Sequence, residues 1–533
     1  MAPLRQLIRL AFAASFLLAL TVSADAPVWT PFVHLNNAGG LNDSYDPTAI
    51  ADHEAADVQN FVFSTGGAIV KRSGFSRVNS SALSSTAVFT GGIFYRQADG
   101  DRFLVATVSD GATDRLYSMD YGAGTIGPDG TWDDISGSLS LAFGTDDLAD
   151  FAIAQDQVVI EDGVNTTAPY VWTGSGNAAA LGGSPDSARF VELHKNHLFK
   201  AGDSAEPSTL DFSGNGNIAS WTSTDEINVE TNDGQIIQAL KSALDALYIW
   251  KQESIFRLSG TTRDDWVLEQ MVDGVGTCSN NSVVLINNRF VFLTCTGDVA
   301  IYDGGVNVQI ISAKIEGTLA ALNQDRFDQA VAVAFDDGTG DQDYYLSLSA
   351  SGASTHNRWL VFDTHHRAWT KFTGLTSNAL FTYELGSLQR AIGSGDYAGR
   401  LNRYPNTDAD AGAAIAAYYI TKQFSYPDIP QDKSWMLLEV FVNQEGSYNL
   451  TAYTRADFES PGTSNSISLA GSGSLWDTAV WDVDAYGDTT TTIGRIEVNK
   501  RRRFFQIRFE NNNASEPVTI KGFINWIFPE ARI

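Results

Sequence analysis

Cysteine, methionine and basic residues are scarce in this chain of 533 residues: two Cys, four Met, and 35 Lys plus Arg against 63 Asp plus Glu. With only Cys278 and Cys295 present, no disulfide framework can hold the fold together. The pair flanks a hairpin expected to turn at Asn287-Asn288, whose register either brings them together as one cross-strand bridge or leaves two buried thiols. The shortage of basic residues and a formal net charge of −28 exclude binding along a phosphate backbone, which rests on Lys and Arg displacing counterions. An acidic wall does, however, let DNA slide past without sticking. Charged helical heptads are also missing, and beyond the N-terminus no segment approaches the roughly eighteen apolar residues that a spanning helix needs.

What is present is glycine, 47 residues of it, together with abundant Thr, Val and aromatic residues, the composition of many short strands and turns. The length calls for several domains or one large repeat architecture. Asn287 to Gly305 shows the unit: β-formers from Arg289 to Leu293, a turn at Gly297-Asp298, a second run from Val299 to Tyr302, and a turn at Asp303-Gly304-Gly305. The unit returns at Asp101, Asp156, Phe190, Asp245, Asn288, Asp343 and Gln389. The mean spacing is about 48 residues, one four-stranded propeller blade, although the individual intervals are uneven.

The expected fold is therefore all-β: an irregular six- or seven-bladed β-propeller over residues 84–404, with an N-terminal arm and a C-terminal β-sandwich. Ahead of it, Arg5 and Arg9 precede an apolar run from Leu10 to Val22, and Val22-Ser23-Ala24 places small residues where a signal peptidase cuts. Residues 1–24 thus read as a secretory signal, an apolar arm packing on a neighbouring subunit, or a short membrane-seeking helix. Residues 25–83 read as an extended arm carrying a small hairpin, Phe61–Phe63 to Ala68–Lys71 across Gly66-Gly67. Pro405 to Gly412 reads as a linker. Residues 405–533, with alternating runs at Ala413–Phe424, Trp435–Val442 and Tyr448–Tyr453, read as a separate β-sandwich.

The chemistry-bearing residues have ordinary explanations. His365-His366 sit in a turn, and adjacent histidines on a strand face opposite sides without a third metal ligand at recognisable spacing. Asp336-Asp337-Gly338 and Asp341 to Asp343 read as an acidic hairpin tip or as a structural calcium site, without the alternating pattern and terminal Glu of an EF-type loop. Asp129-Gly130-Thr131-Trp132 lacks the spacer of the sialidase blade turn, and Arg257, Arg289, Arg326 and Arg358 read as strand-end charges rather than a converging arginine cluster. Lys500-Arg501-Arg502-Arg503 reads as an edge-protecting cluster that also suits an acidic partner. No nucleophile elbow, phosphate loop or zinc motif is present. No catalytic, cofactor-binding or metal-binding residue is assigned, and no cofactor is expected.

Three stretches near the N-terminus, GGLNDSYDP, EAADVQNFVF and GGAIVKRSGF, resemble propeller-type tail proteins of short-tailed bacteriophages, the hub or nozzle components beneath the portal. ALYIWKQESIFRLSG, DGVGTCSNNSVVLINNRFVFLTCTGDVAIYDGG, ISAKIEGTL, NRWLVFDTHHRAWTKF, GDYAGRLNRYPNTDADAGAAIAAYYITKQF and DKSWMLLEVFV extend the resemblance over residues 38 to 445. It implies a non-enzymatic virion protein that forms a ring, usually of six copies. Such a ring continues the DNA channel, touches adaptor and fibre proteins, and lets DNA pass without sequence-specific binding. The signal-like N-terminus points instead to a secreted propeller that binds or cleaves glycans, the alternative reading.

Overall fold

The computed structural model describes residues 29–122, 127–164, 167–336, 340–386, 389–426, 431–470 and 491–529. The signal-like segment 1–24 lies outside them. No helix among the described residues is long and apolar enough to cross a membrane.

The chain is an all-β propeller. Six four-stranded antiparallel sheets, and a further antiparallel set of four strands that opens a nine-stranded sheet, follow one another as blades, and their inner strands are Val88–Arg96, Asp150–Ala154, Phe190–His194, Ile237–Ala243, Val284–Ile286, Val331–Phe335 and Ala379–Glu384. We number the blades in that order. Successive inner strands pack on one another, with the turn Asn280–Ser282 between blades 4 and 5, and Ala379–Glu384 lies against Val88–Arg96, closing the ring. The fourth strand of blade 7 is Gly74–Arg77, which comes from ahead of blade 1 and pairs with Leu401–Thr407.

Local chemistry explains the meander. In blades 2 to 5 the first two strands are joined by two residues that both have positive φ: Gln155-Asp156, Lys195-Asn196, Leu244-Asp245 and Asn287-Asn288. This is the backbone of a type I′ turn, whose twist matches that of the flanking strands and which Asn and Asp tolerate best. Alternate residues then fill the spaces between blades. Between blades 4 and 5, Trp250 and Tyr248 each meet Phe290 edge-on with centroids 4.9 Å apart. Fully burying a side chain of this size stabilises by roughly 3 kcal/mol.

The uneven repeat has a simple cause. Six of the seven expected starts mark the second strand of a blade or the turn before it, whereas Phe190 opens an inner strand. The second strand of blade 3 is His197–Ala201, and second strands then recur at intervals of about 40 to 55 residues.

The segment expected as an N-terminal arm does not hang free. Thr30–His34 pairs with Thr519–Pro529, Phe61–Phe63 pairs with Ile69–Lys71, and Ala55–Gln59 sits between the outer strand of blade 6, Ala368–Phe372, and Ala417–Thr421. Blade 6 thereby runs on into a nine-stranded sheet that ends with Phe505–Asn511, Asn449–Ala456 and Thr463–Ser468. A second sheet, holding Lys433–Asn443, Thr491–Arg502 and Thr519–Pro529, shares one core with it through Tyr419, Trp435, Val440, Phe509 and Phe523. The physical reason is edge satisfaction: strands with unpaired N–H and C=O groups pair within the chain. The expected linker also needs correction, because Pro405 to Thr407 continue the strand that begins at Leu401. Cys278 and Cys295 are joined as a disulfide, Cα atoms 5.0 Å apart, tying the approach to blade 5 to its second turn.

Candidate functional site

Polar side chains gather at the junction between propeller and paired sheets and on the propeller axis.

At the junction, Gly40, with φ of +74°, lets the backbone approach Trp369 closely, and Leu41 N–H donates to Trp369 O at 2.8 Å. Asp43 then caps a short distant helix, Glu316–Ala320: its carboxylate accepts from Gly317 N at 3.0 Å and Thr318 Oγ1 at 2.6 Å. Ser44 Oγ accepts from Glu316 N and donates to Ala313 O. These bonds satisfy helix N–H groups that have no partner within the helix. Glu54 accepts from Asn42 and Ala51 and pairs with Lys314 at 2.8 Å.

Beside them Arg72, 2% exposed, is saturated. It forms a bidentate pair with Asp410 at 2.9 and 2.6 Å and donates to Asn60 Oδ1, Ser73 O and Thr373 O. Lys71 Nζ donates to Asn511 Oδ1, Asn513 O and Glu516 O, and burial pulls its ammonium down to about 8.

His365 and His366 line one small cleft in this region, with Phe63, Thr65 and Tyr345. They do not face opposite sides as strand residues would, because they lie in the turn after Arg358–Asp363. His365 Nδ1 meets Asp341 Oδ2 at 2.9 Å, and His366 Nδ1 meets Asp363 Oδ2 at 2.8 Å. Asp343 Oδ1 accepts from Thr364 N, and Asp336 Oδ1 from Gly340 N; Asp337 and Gly338 lie outside the described residues. Among the described residues no group of three or more His, Cys, Asp or Glu side chains is arranged to hold a metal ion.

Three of the four arginines sit on three different blades, and Arg326 precedes blade 6. Arg257 pairs with Glu269, Arg326 in the turn before blade 6 pairs with Asp146, and Arg289 and Arg358 open strands. Thr131 N–H donates to Asp129 within a turn, and Trp132 packs near Phe89. Lys500 pairs with Glu459 at 2.7 Å, and Arg501 to Arg503 lie 3.4 to 3.9 Å from Asp432 and Asp457.

The axis holds charges that sequence reading missed. Asp150, Glu192 and Lys241 lie on the inner strands of blades 2, 3 and 4. The signal was there, a lone charge within each of DFAIA, FVELH and IQALKSA. Asp150 Oδ2 accepts from Val191 N at 3.0 Å, while Oδ1 stands 4.0 Å from Lys241 Nζ, wider than a bonded pair. Burial raises the Asp150 carboxyl, with Lys241 opposing, and raises Glu192 to about 7, with Lys241 opposing and Asp150 reinforcing. Glu161, paired in register with Asp150, is wholly buried with both carboxyl oxygens unpartnered, and burial pushes it well above the carboxylate range.

No family model matches the chain, and no curated protein matches it. Among solved structures it is similar to the WD40 β-propeller domain of Doa1, at 8% identity over 62% of this chain and 96% of that one, with a TM-score of 0.38. It is also similar to BamB from Moraxella catarrhalis, at 11% identity over 70% and 99% of the two chains, TM-score 0.37. A third is the computationally designed Ika8 protein, at 13% identity over 62% and 100%, TM-score 0.36. Likeness at this level carries no functional weight; the propeller rests on the sheet order and ring closure.

Proposed function

We propose that the protein is a structural virion component of a short phage tail, a hub or nozzle subunit rather than an enzyme. In this reading it assembles as a ring, six copies being the expected number, continues the DNA channel and joins adaptor and fibre proteins. One observation carries it. GGLNDSYDP, EAADVQNFVF and GGAIVKRSGF lie near the N-terminus, and ISAKIEGTL and NRWLVFDTHHRAWTKF come hundreds of residues later, yet Leu41, Asp43, Asn60, Arg72, Lys314 and Trp369 interlock at the junction that welds propeller to paired sheets. The resemblance therefore follows a three-dimensional unit rather than scattered local patterns.

The charge of −28 supports passage of DNA along the assembly without adhesion. The space on the propeller's own axis, about 190 Å³, is far too small for a duplex, so the channel of this reading lies between subunits. Electron microscopy of the purified protein and of its native particle tests the proposal. Rings with a central channel, present in the particle, are expected. A strictly monomeric species at high concentration that is absent from particles would overturn it, and retention on a glycan array or sialoside hydrolysis would favour the secreted alternative.

A further inference from the structure

The cavity on the propeller axis has two unlike walls. Asp150, Lys241 and Asn281 form one side, from blades 2, 4 and 5. Ile93, Val331 and Leu380, from blades 1, 6 and 7, form the other. Its volume of about 190 Å³ exceeds the ~150 Å³ of an apolar cavity that accepts benzene, so it admits a molecule on the order of ten non-hydrogen atoms.

The polar wall is built and left open. Asp150, 7% exposed, accepts from Val191 N and also has the Phe151 N–H and the Asn280 amide as donors, and its Oδ1 stands 4.0 Å from Lys241 Nζ, so of a carboxylate's roughly four acceptor positions one is left facing the ammonium. Asn281 Nδ2 reaches only the Ala149 carbonyl, at 3.4 Å. A buried acid and an ammonium at this separation do not satisfy each other. They match a ligand that carries the opposite pair of charges on adjacent atoms, its ammonium on Asp150 and its carboxylate on Lys241 and Asn281. The remainder of the ligand then faces Ile93, Val331 and Leu380, where an aliphatic chain is removed from water.

We propose that the axial cavity binds a small zwitterion of the aliphatic α-amino-acid class, read out by the Asp150–Lys241 pair and the apolar wall opposite. This site stands apart from the tail reading and holds whether or not rings form.

Isothermal titration of the full chain with four probes tests it. Leucine places both charges on one carbon; 6-aminohexanoate has the same atoms with the charges at opposite ends; 3-methylbutylamine and 4-methylpentanoate carry one charge each. Leucine is expected to bind, with each of the other three at least tenfold weaker. Lys241→Met is expected to lower leucine affinity at least tenfold. Leu380→Trp, which fills the apolar side, is tested in parallel, and because both changes fall on inner strands and risk misfolding, each variant's melting temperature without ligand is compared with the parent's. Loss of binding in a variant that melts like the parent supports the site. Absence of leucine binding at 10 mM, equal binding of 6-aminohexanoate, or unchanged affinity in a folded Lys241→Met protein would overturn it.

Discussion

The junction and the axis bury charge in opposite ways. At the junction the buried ions have a full set of partners: Arg72 with Asp410, Asn60 and the carbonyls of Ser73 and Thr373, Lys71 with three acceptors, Glu54 with three donors. In the propeller, Glu161, on the second strand of blade 2, has no partner for either oxygen, and on the axis Asp150 and Lys241 remain 4.0 Å apart. A saturated charge fixes geometry, because removing one partner strands the others away from water. An unsaturated one stays able to take up a proton or a ligand. The same inventory of Asp, Glu, Lys and Arg thus marks architecture in one region and responsiveness in the other.

The largest test strikes the saturated side. Arg72→Met leaves Asp410 buried and unpaired, and a loss of about 3–5 kcal/mol in a denaturant titration is expected. Adding Asp410→Leu should recover part of that loss, and failure of the double variant to recover any would mean that the pair is not the unit of stability.

On the axis, pH is the probe. Glu192 titrates near 4.5 when unfolded and is raised to about 7 when folded. Below pH 4.5 both states hold the proton. Between the two values only the unfolded chain gives it up, so stability falls as pH rises, by on the order of 3 kcal/mol, and levels off above 7. Stability measured from pH 4.5 to 7.5 should therefore show this slope, and Glu192→Gln should flatten it. An unchanged slope would assign the titration to Asp150 or Glu161.

The smallest effect belongs to Asp43→Ala, which removes the cap of the short helix Glu316–Ala320 and leaves Gly317 N and Thr318 Oγ1 without their acceptor. A loss of about 1–2 kcal/mol is expected, with faster amide exchange confined to residues 316–320.

How much of this was written in the sequence follows from the range of the interactions. Turns of two residues with positive φ leave a local mark, so Asp156, Asp245 and Asn288 located three blades directly. Lys195-Asn196 carries the same mark for blade 3, whereas the apolar run at Phe190 marks only its inner strand. Strand partners hundreds of residues away leave no local trace. For that reason Ala55–Gln59 and Ile69–Lys71 looked like an arm and Pro405 to Thr407 like a linker, although each is hydrogen-bonded into a sheet. On the functional side, the histidines and arginines that attracted notice are locally paired. The axial charges were overlooked because a single charge in an apolar strand resembles a strand-end residue until the ring gathers three of them.

The strand Gly74–Arg77 has one more consequence, for the order of events during synthesis. It leaves the ribosome before any blade exists, whereas its partner Leu401–Thr407 is made after six blades, and Asn79 waits for a contact 320 residues downstream. Until then the nascent propeller is an arc with two raw edges, the state in which β-proteins most readily aggregate. Fragments ending before Leu401 should therefore precipitate or recruit chaperones, while the longer chain seals the ring by joining a strand made ahead of the first blade to one made after the sixth.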